Sequence, residues 1–132
     1  ADVRRWGSEA GYCDVLIPQV YFGFENEAAP FSETVTEWVQ TVTCDSVSLV
    51  IGIGTHKYGK VDQWAGSGSM EWTTQWDLPV RQATQVLETD GTDGLAIYDY
   101  ATTFLPESNA ERMAQQVEQL GALLRGMPAD PL

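Results

Sequence analysis

The chain has 132 residues, enough for one domain. Its 7 basic residues against 19 acidic ones give a formal net charge of −12, which argues against binding to nucleic acid or to an anionic membrane. No apolar run reaches the roughly 20 residues of a membrane-spanning helix, whereas a hydrophobic fraction of 43% is sufficient for a packed core.

The first half of the chain predicts a short helix, a strand and an amphipathic helix. Residues 2–8 form a helical turn, and the apolar run 15–22 is typical of a strand buried on both faces of a parallel sheet. Pro18 weakens that strand because it removes a hydrogen-bond donor. Thr34 and Glu37 fit the capping box of the following helix. The apolar stripe of this helix comprises Val35, Trp38, Val39 and Val42.

The middle of the chain predicts a second strand over 47–54 and a long loop over 55–76. A helix follows, with Asp77 as its N-cap, Pro79 in its first turn and Gly91 as its C-cap. Its apolar stripe comprises Val80, Ala83 and Leu87.

The last part predicts a third strand over 95–100 and a final helix that opens with a capping box, Ser108 and Glu111. Gly126 and Pro128 are expected to end this helix. The residues expected to be buried along it are Met113, Val117, Leu120 and Leu124.

This alternation of helices and strands predicts an α/β fold with a parallel sheet and right-handed crossovers. Such crossovers cover only one face of a three-stranded sheet, and a complete eight-fold barrel needs about 250 residues. Residues 1–132 therefore form a single partial domain, which is either three-eighths of a barrel or a small layered sheet that pairs with another copy.

Many spaced motifs resemble the later part of bacterial glycosyl-hydrolase-like family 10 barrels. Residues 11–26 follow the family pattern GY-D-I-PQIY-GF-N, and residues 50–59 are similar to its GLAAYKIG segment. The resemblance covers about residues 2–104, and its further matches are Pro30, Phe31, Trp38, Asp62, 64–68, Glu71, Trp72, Arg81, Gln82 and 94–100. The chain departs from the family at His56, where an aromatic Tyr is usual, and at Asp99, where the family is variable and often basic.

The resemblance implies a (β/α)8 TIM barrel that hydrolyses a glycosidic bond in a bacterial envelope or extracellular polysaccharide. It also implies an extracellular or cell-envelope location. Only the last three parallel βα units, the sixth to eighth, are present, so whether the chain belongs to an active enzyme depends on the complete barrel. We expect it to supply substrate-binding loops and to be inactive alone.

Two other interpretations stay open. The chain is alternatively a non-catalytic carbohydrate-binding or scaffold module that completes a barrel by self-association, or an unrelated small α/β regulatory domain. The expected partners are therefore a carbohydrate and either a second copy or the missing N-terminal barrel half.

The candidate catalytic residues are the carboxylates Glu25 and Asp99, because glycosidases use a pair of carboxyl groups and barrel sites lie at the carboxyl ends of the strands. Each also has a structural interpretation: Glu25 as a solvated loop acid and Asp99 as a helix cap. Glu71, in the long loop, is a weaker third candidate.

Polar and aromatic side chains near the predicted strand ends are the candidate substrate-binding residues. Amide, phenol, imidazole and ammonium groups hydrogen-bond sugar hydroxyls or bind acidic groups, and aromatic rings stack on sugar faces. The alternatives are hydrogen bonding to the backbone, pairing of Lys57 with a local acid, and packing within the long loop. The candidates are Gln19, Tyr21, His56, Lys57, Trp64, Trp72 and Tyr98.

No cofactor or metal is predicted. His56 is the single histidine, which excludes a multi-histidine zinc site within the chain, and no phosphate-binding or dinucleotide motif is complete. Cys13 and Cys44 form either one disulfide bridge or, as we favour, two buried free thiols.

Overall fold

A computed structural model describes residues 1–126. Its three strands form one parallel sheet in the order β1-β2-β3, which confirms the α/β class predicted from the sequence. The elements, apart from a single 3-10 turn at Gly66–Gly68, are α1 Val3–Ser8, β1 Val15–Leu16, α2 Phe31–Thr41, β2 Ser48–Gly54, α3 Glu71–Thr74, α4 Leu78–Glu88, β3 Gly94–Tyr98, α5 Tyr100–Phe104 and α6 Ala110–Arg125.

One face of the sheet is packed under helices. Alternate residues of β2 point into this face, and Leu49, Ile51 and Ile53 are almost completely buried there. Helices α2, α4 and α6 contribute Val35, Val86 and Leu120 to the same core. The helical periodicity of the sequence therefore corresponds to one continuous core on one side of the sheet.

Among residues 1–126, no helix covers the opposite face. Val15, Ile17 and Tyr98 lie on this face with 46%, 54% and 50% of their surface exposed. Glycine occupies the alternate positions of β2, Gly52 and Gly54. Helices therefore cover one face of the sheet, and the other face, which we call the uncovered face, has no cover within residues 1–126.

The first strand is shorter than predicted. The run 15–22 stays extended, but only Val15–Leu16 forms a ladder, followed by an isolated bridge between Gln19 and Gly52. Pro18 has no N–H to donate, although its carbonyl accepts the Gly52 N–H at 2.9 Å. The strand predicted over 95–100 likewise ends early, at Tyr98, because Asp99 is the N-cap of α5.

Two predicted capping boxes are wrong. Helix α2 begins at Phe31, so Thr34 lies inside the helix, where its hydroxyl donates to the Pro30 carbonyl at 2.8 Å. Helix α6 begins at Ala110 after Asn109, which adopts a left-handed conformation with φ 56°. The same Ser/Thr-x-x-Glu spacing also fits a helix interior, and tertiary packing decides where each helix starts.

Other helix boundaries also differ in detail. Asp77 stands at the N-cap of α4 as predicted but makes no side-chain capping bond, and the helix ends at Glu88 instead of extending to Gly91. Leu124 is 43% exposed, because the neighbouring Leu123 packs against the core instead. Gly126 is the C-cap of α6, whereas Pro128 lies outside the described residues.

The long predicted loop is partly helical, since it contains the 3-10 turn and α3. Cys13 and Cys44 are free thiols, half-buried and not fully buried. Among the described residues, no helix has the length and apolarity to cross a bilayer.

Candidate functional site

Three aromatic side chains meet where β1, β2 and β3 end, on the uncovered face. The Tyr21 ring stacks on Tyr98 with 5.5 Å between centroids, and the His56 ring meets both edge-on, at 5.1 Å from Tyr21 and 5.3 Å from Tyr98. We call Tyr21, His56 and Tyr98 the aromatic cluster. Side chains at or after the ends of all three strands meet in this cluster.

Glycines in β2 make room for this cluster. A Cβ atom added at Gly54 would collide with the His56 ring and stand 3.3 Å from Tyr21 Cδ1. At Gly52 it would lie 2.9 Å from the Pro18 carbonyl oxygen. Larger residues at these positions would thus push both the first strand and the cluster away from β2.

Burial sets the protonation of the cluster. It lowers the pKa of His56, with help from the Lys57 charge, while the nearby Tyr98 carbonyl and Asp99 act in the opposite direction. Burial, followed by the neighbouring Tyr98, raises the pKa of Tyr21. Both shifts favour the neutral forms of His56 and Tyr21 at neutral pH. The buried His56 Nδ1 has no hydrogen-bond partner among residues 1–126.

Gln19 lies two residues before Tyr21 on the same uncovered face, with its side chain exposed. The structure thus brings four of the nine predicted site residues to one surface, namely Gln19, Tyr21, His56 and Tyr98.

Asp99 follows the cluster but is engaged as a helix cap. Its Oδ1 accepts the backbone N–H of Thr102 at 2.9 Å and the Thr102 hydroxyl at 2.7 Å, and these bonds hold the pKa of Asp99 below its usual value. Thr55 joins the same region, because its hydroxyl lies 2.8 Å from the hydroxyls of Thr102 and Thr103. The carboxylate that the sequence proposes as catalytic therefore already holds the end of β3 to α5.

Glu25 is exposed on the loop after β1 and is held by residues of α3 and its C-cap. Gln75 Nε2 donates to Glu25 Oε2 at 2.9 Å, and Arg81 Nη1 donates to Gln75 Oε1 at 2.7 Å. The carboxylate of Glu25 thus faces solvent with one of its oxygens oriented by an amide.

Glu71 fixes the backbone beneath Glu25. Only 2% of its surface is exposed, and its two carboxylate oxygens accept the N–H groups of Phe24 at 2.9 Å and Glu25 at 3.0 Å. Burial raises the pKa of Glu71, although these hydrogen bonds lower it. A side chain at Gly23 would collide with this carboxylate, so the glycine is required by the close approach.

Lys57 forms an ion pair with Asp62. Its Nζ lies 2.7 Å from Asp62 Oδ2, and the Asp62 side chain is only 3% exposed. The ammonium also lies 5.7 Å from the centre of the Phe22 ring. The pairing with a local acid, one of the two interpretations that the sequence leaves open, is therefore present.

The two predicted sugar-stacking tryptophans occupy opposite environments. Trp64 is 81% exposed on the long loop, with a ring available to solvent. Trp72 is 1% exposed and packs with Tyr58, Leu78 and Met113 in a second core cluster. Protein therefore covers the ring of Trp72 and leaves no face for a sugar.

Sequence reasoning missed several contributors, chiefly Gln75, Thr102 and the anchoring role of Glu71. Only Glu71 carried a signal, its place in the family resemblance, because the others depend on contacts between segments distant in the chain. Within residues 1–126 no group of three or more His, Cys, Asp and Glu side chains is placed to hold a metal ion.

The chain is similar to proteins named "Glycosyl hydrolase DigH". Those of Escherichia coli (strain K12) and Shigella flexneri are each 37% identical to it over 83 residues, 59% of this chain and 19% of the relative. The alignment thus takes in only about a fifth (19%) of the length of these curated relatives. No family model matches the chain, and no solved structure matches it.

Proposed function

We propose that the chain is the C-terminal part of a glycoside-hydrolase (β/α)8 barrel, of family 10 type, that supplies substrate-binding loops. The polysaccharide belongs to a bacterial envelope or extracellular matrix, and the chain works in that location. Similarity to glycosyl hydrolase-named proteins over 59% of the chain supports the hydrolase relationship. The aromatic cluster at the three strand ends is the observation that carries the proposal.

The uncovered sheet face supports the partial-barrel interpretation. In a closed barrel this face packs against the opposite strands, and ligands bind at its carboxyl end. Val15 and Ile17 would then fill the barrel interior, while Tyr21 and Tyr98 would reach its mouth. The missing N-terminal strands provide the cover in this proposal, and both open sheet edges become paired.

In this proposal some of the candidate residues bind the sugar and others hold the long loop in position. Tyr21, Tyr98 and the exposed Trp64 offer ring surfaces to a sugar, and Gln19 and His56 offer hydrogen bonds to its hydroxyls. Lys57 and Trp72 hold the long loop in place.

Of the two carboxylates, Glu25 is the better candidate for acid–base work, because Asp99 is occupied in its helix cap. Glycoside hydrolysis needs a second carboxyl group opposite the first, which the missing strands supply in this proposal. We therefore expect the isolated chain to bind glycans without hydrolysing them.

Calorimetric titration of the purified chain with soluble bacterial wall glycan fragments tests the proposal. Tyr21→Leu removes a ring of the cluster, and Tyr12→Leu is the matched control because Tyr12 is exposed and its ring lies beside Arg5. We expect binding that Tyr21→Leu abolishes and Tyr12→Leu preserves. Equal binding by both variants, or turnover by the chain alone, contradicts the proposal.

Self-association is the second candidate function, and the exposed apolar residues of the uncovered face favour it. In that case a second copy covers Val15, Ile17 and Tyr98, and the chain is a non-catalytic carbohydrate-binding or scaffold module. Sedimentation of the wild type and of Ile17→Asp distinguishes the two. A dimer that dissociates in the variant supports self-association, whereas a monomer at micromolar concentration rejects it.

A further inference from the structure

Both lysines and the single histidine of this acidic chain lie beside the aromatic cluster. The chain has two lysines and one histidine, and all three fall within residues 56–60, immediately after β2. Lys57 is neutralised by Asp62, whereas Lys60 makes no ion pair within residues 1–126.

The turn that carries Lys60 is rigidly held. Lys60 N–H donates to the Lys57 carbonyl at 2.9 Å, and Gly59 N–H donates to the carbonyl of the buried Trp72 at 2.9 Å. Gly59 has a φ of 75°, which favours glycine, and a side chain there would collide with Asn109. The N-terminal end of α6 therefore packs against this turn, and hydrogen bonds fix the backbone that carries Lys60.

A cleft of about 260 Å³ lies between this turn and the segment joining α5 to α6. Its polar lining consists of Thr55, His56, Lys60, Thr102, Glu107 and Ser108. Ligand sites for whole drug-sized molecules are roughly 300–1,000 Å³, so this cleft suits one unit of a larger ligand. Because His56 also belongs to the aromatic cluster, the cleft and the cluster form one continuous surface.

We propose that this cleft binds the carboxylate of an acidic sugar unit, with Lys60 as the charge partner. The exposed Ser108 hydroxyl supplies a hydrogen-bonding group beside it. This inference rests on the proposed function and names its substrate class as a glycan that carries carboxylates. The sequence analysis proposes Lys57 as the cation that binds an acidic group, whereas this proposal gives that role to Lys60.

Glu107 also lines the cleft, where it should favour a ligand with one negative charge over a ligand with two. Its carboxylate is exposed and makes no ion pair with Lys60 within the described residues. An unpaired acid at the rim repels a ligand that carries several negative charges, so a single carboxylate is preferred to a phosphate dianion.

The test follows the backbone resonances of residues 56–60 in the isotope-labelled chain during titration with sodium glucuronate, glucose and inorganic phosphate. We expect glucuronate to bind about two- to fivefold more tightly than glucose, the range for one exposed charge pair. Lys60→Gln removes this preference. Arg4→Gln is the control, because Arg4 is an exposed cation on α1 at the opposite end of the sheet and its replacement changes the net charge equally.

Each outcome decides the inference. Equal affinity for glucuronate and glucose overturns it while leaving the proposed glycan binding intact. Phosphate that binds as tightly as glucuronate also overturns it, since the cleft is then a general anion site. A preference that survives Lys60→Gln but is lost in Ser108→Ala contradicts the role of Lys60. If the chain binds glucuronate but does not bind wall glycan fragments, the carboxylate site in the cleft is supported and the proposed function is rejected.

Discussion

The two faces of the sheet differ in the burial of their side chains. On the helix-covered face Leu49, Ile51 and Ile53 are almost fully buried, and the stripes of α2, α4 and α6 complete the core. On the other face Val15 and Ile17 are about half exposed, at 46% and 54%, and the strand ends present rings and polar groups. The first face stabilises the domain, whereas the second leaves apolar side chains exposed.

The same contrast recurs in the loops beyond the strands. Buried groups such as Trp72 and Glu71 fix the loop backbone, while exposed groups such as Trp64 and Glu25 project from it. Each buried residue can be compared with its exposed counterpart, Trp72 with Trp64 and Glu71 with Glu25. Substitution of the buried residue should mainly lower stability, whereas substitution of the exposed one should mainly affect binding.

The largest effect is expected at the tryptophans of the long loop. Trp72→Ala leaves a large cavity in the second core cluster and should lower the free energy of unfolding by about 3–5 kcal/mol. Trp64→Ala should change it by less than about 0.5 kcal/mol, because the ring is 81% exposed. Urea denaturation measures both, and similar losses in the two variants would show that the loop does not pack as described.

The two isoleucines compare the faces of the sheet directly. Ile51→Ala should destabilise the chain by about 2–5 kcal/mol, since its side chain is completely buried. Ile17→Ala should cost clearly less, because 54% of its surface is exposed. If Ile17→Ala proves as costly as Ile51→Ala in chemical denaturation, the second face is already covered in solution.

The buried carboxylate of Glu71 should matter more than the exposed one of Glu25. Glu71→Ala leaves the N–H groups of Phe24 and Glu25 without acceptors and should cost about 1–3 kcal/mol. Glu25→Ala should leave stability almost unchanged. Thermal unfolding of both variants tests this difference, which would be refuted by equal melting temperatures.

The smallest effect is the pH dependence from Asp99. Its pKa is lowered in the folded chain, so the stabilisation is present above the unfolded pKa and is lost as the pH falls through the folded value. Stability curves of wild type and Asp99→Asn should therefore converge as the pH is lowered into the acid range. Curves that stay parallel throughout would mean that the carboxylate does not cap α5.

Much of the fold is predictable from the sequence because helix stripes and apolar strands are local patterns. Val35, Ala83 and Leu120 lie in the core as their periodic spacing requires, and the order of strands follows from alternation. Helix starts are harder, since Thr34 and Ser108 both fit a local capping pattern that tertiary packing overrides.

The site is predictable only in outline. Strand ends mark its place, so Tyr21, His56 and Tyr98 are found from their position in the sequence. Composition alone does not separate Trp64 from Trp72, or Lys57 from Lys60, because their difference lies in contacts with distant segments.

The most direct test of the account is amide chemical-shift mapping of the labelled chain with soluble wall glycan fragments. If the uncovered face carries the glycan site at its strand ends, the largest shifts will fall at Tyr21, His56 and Tyr98, with little change under α2 and α4. A well-dispersed spectrum whose shifts fall on the helix-covered side, or that does not respond to glycan, would contradict the account.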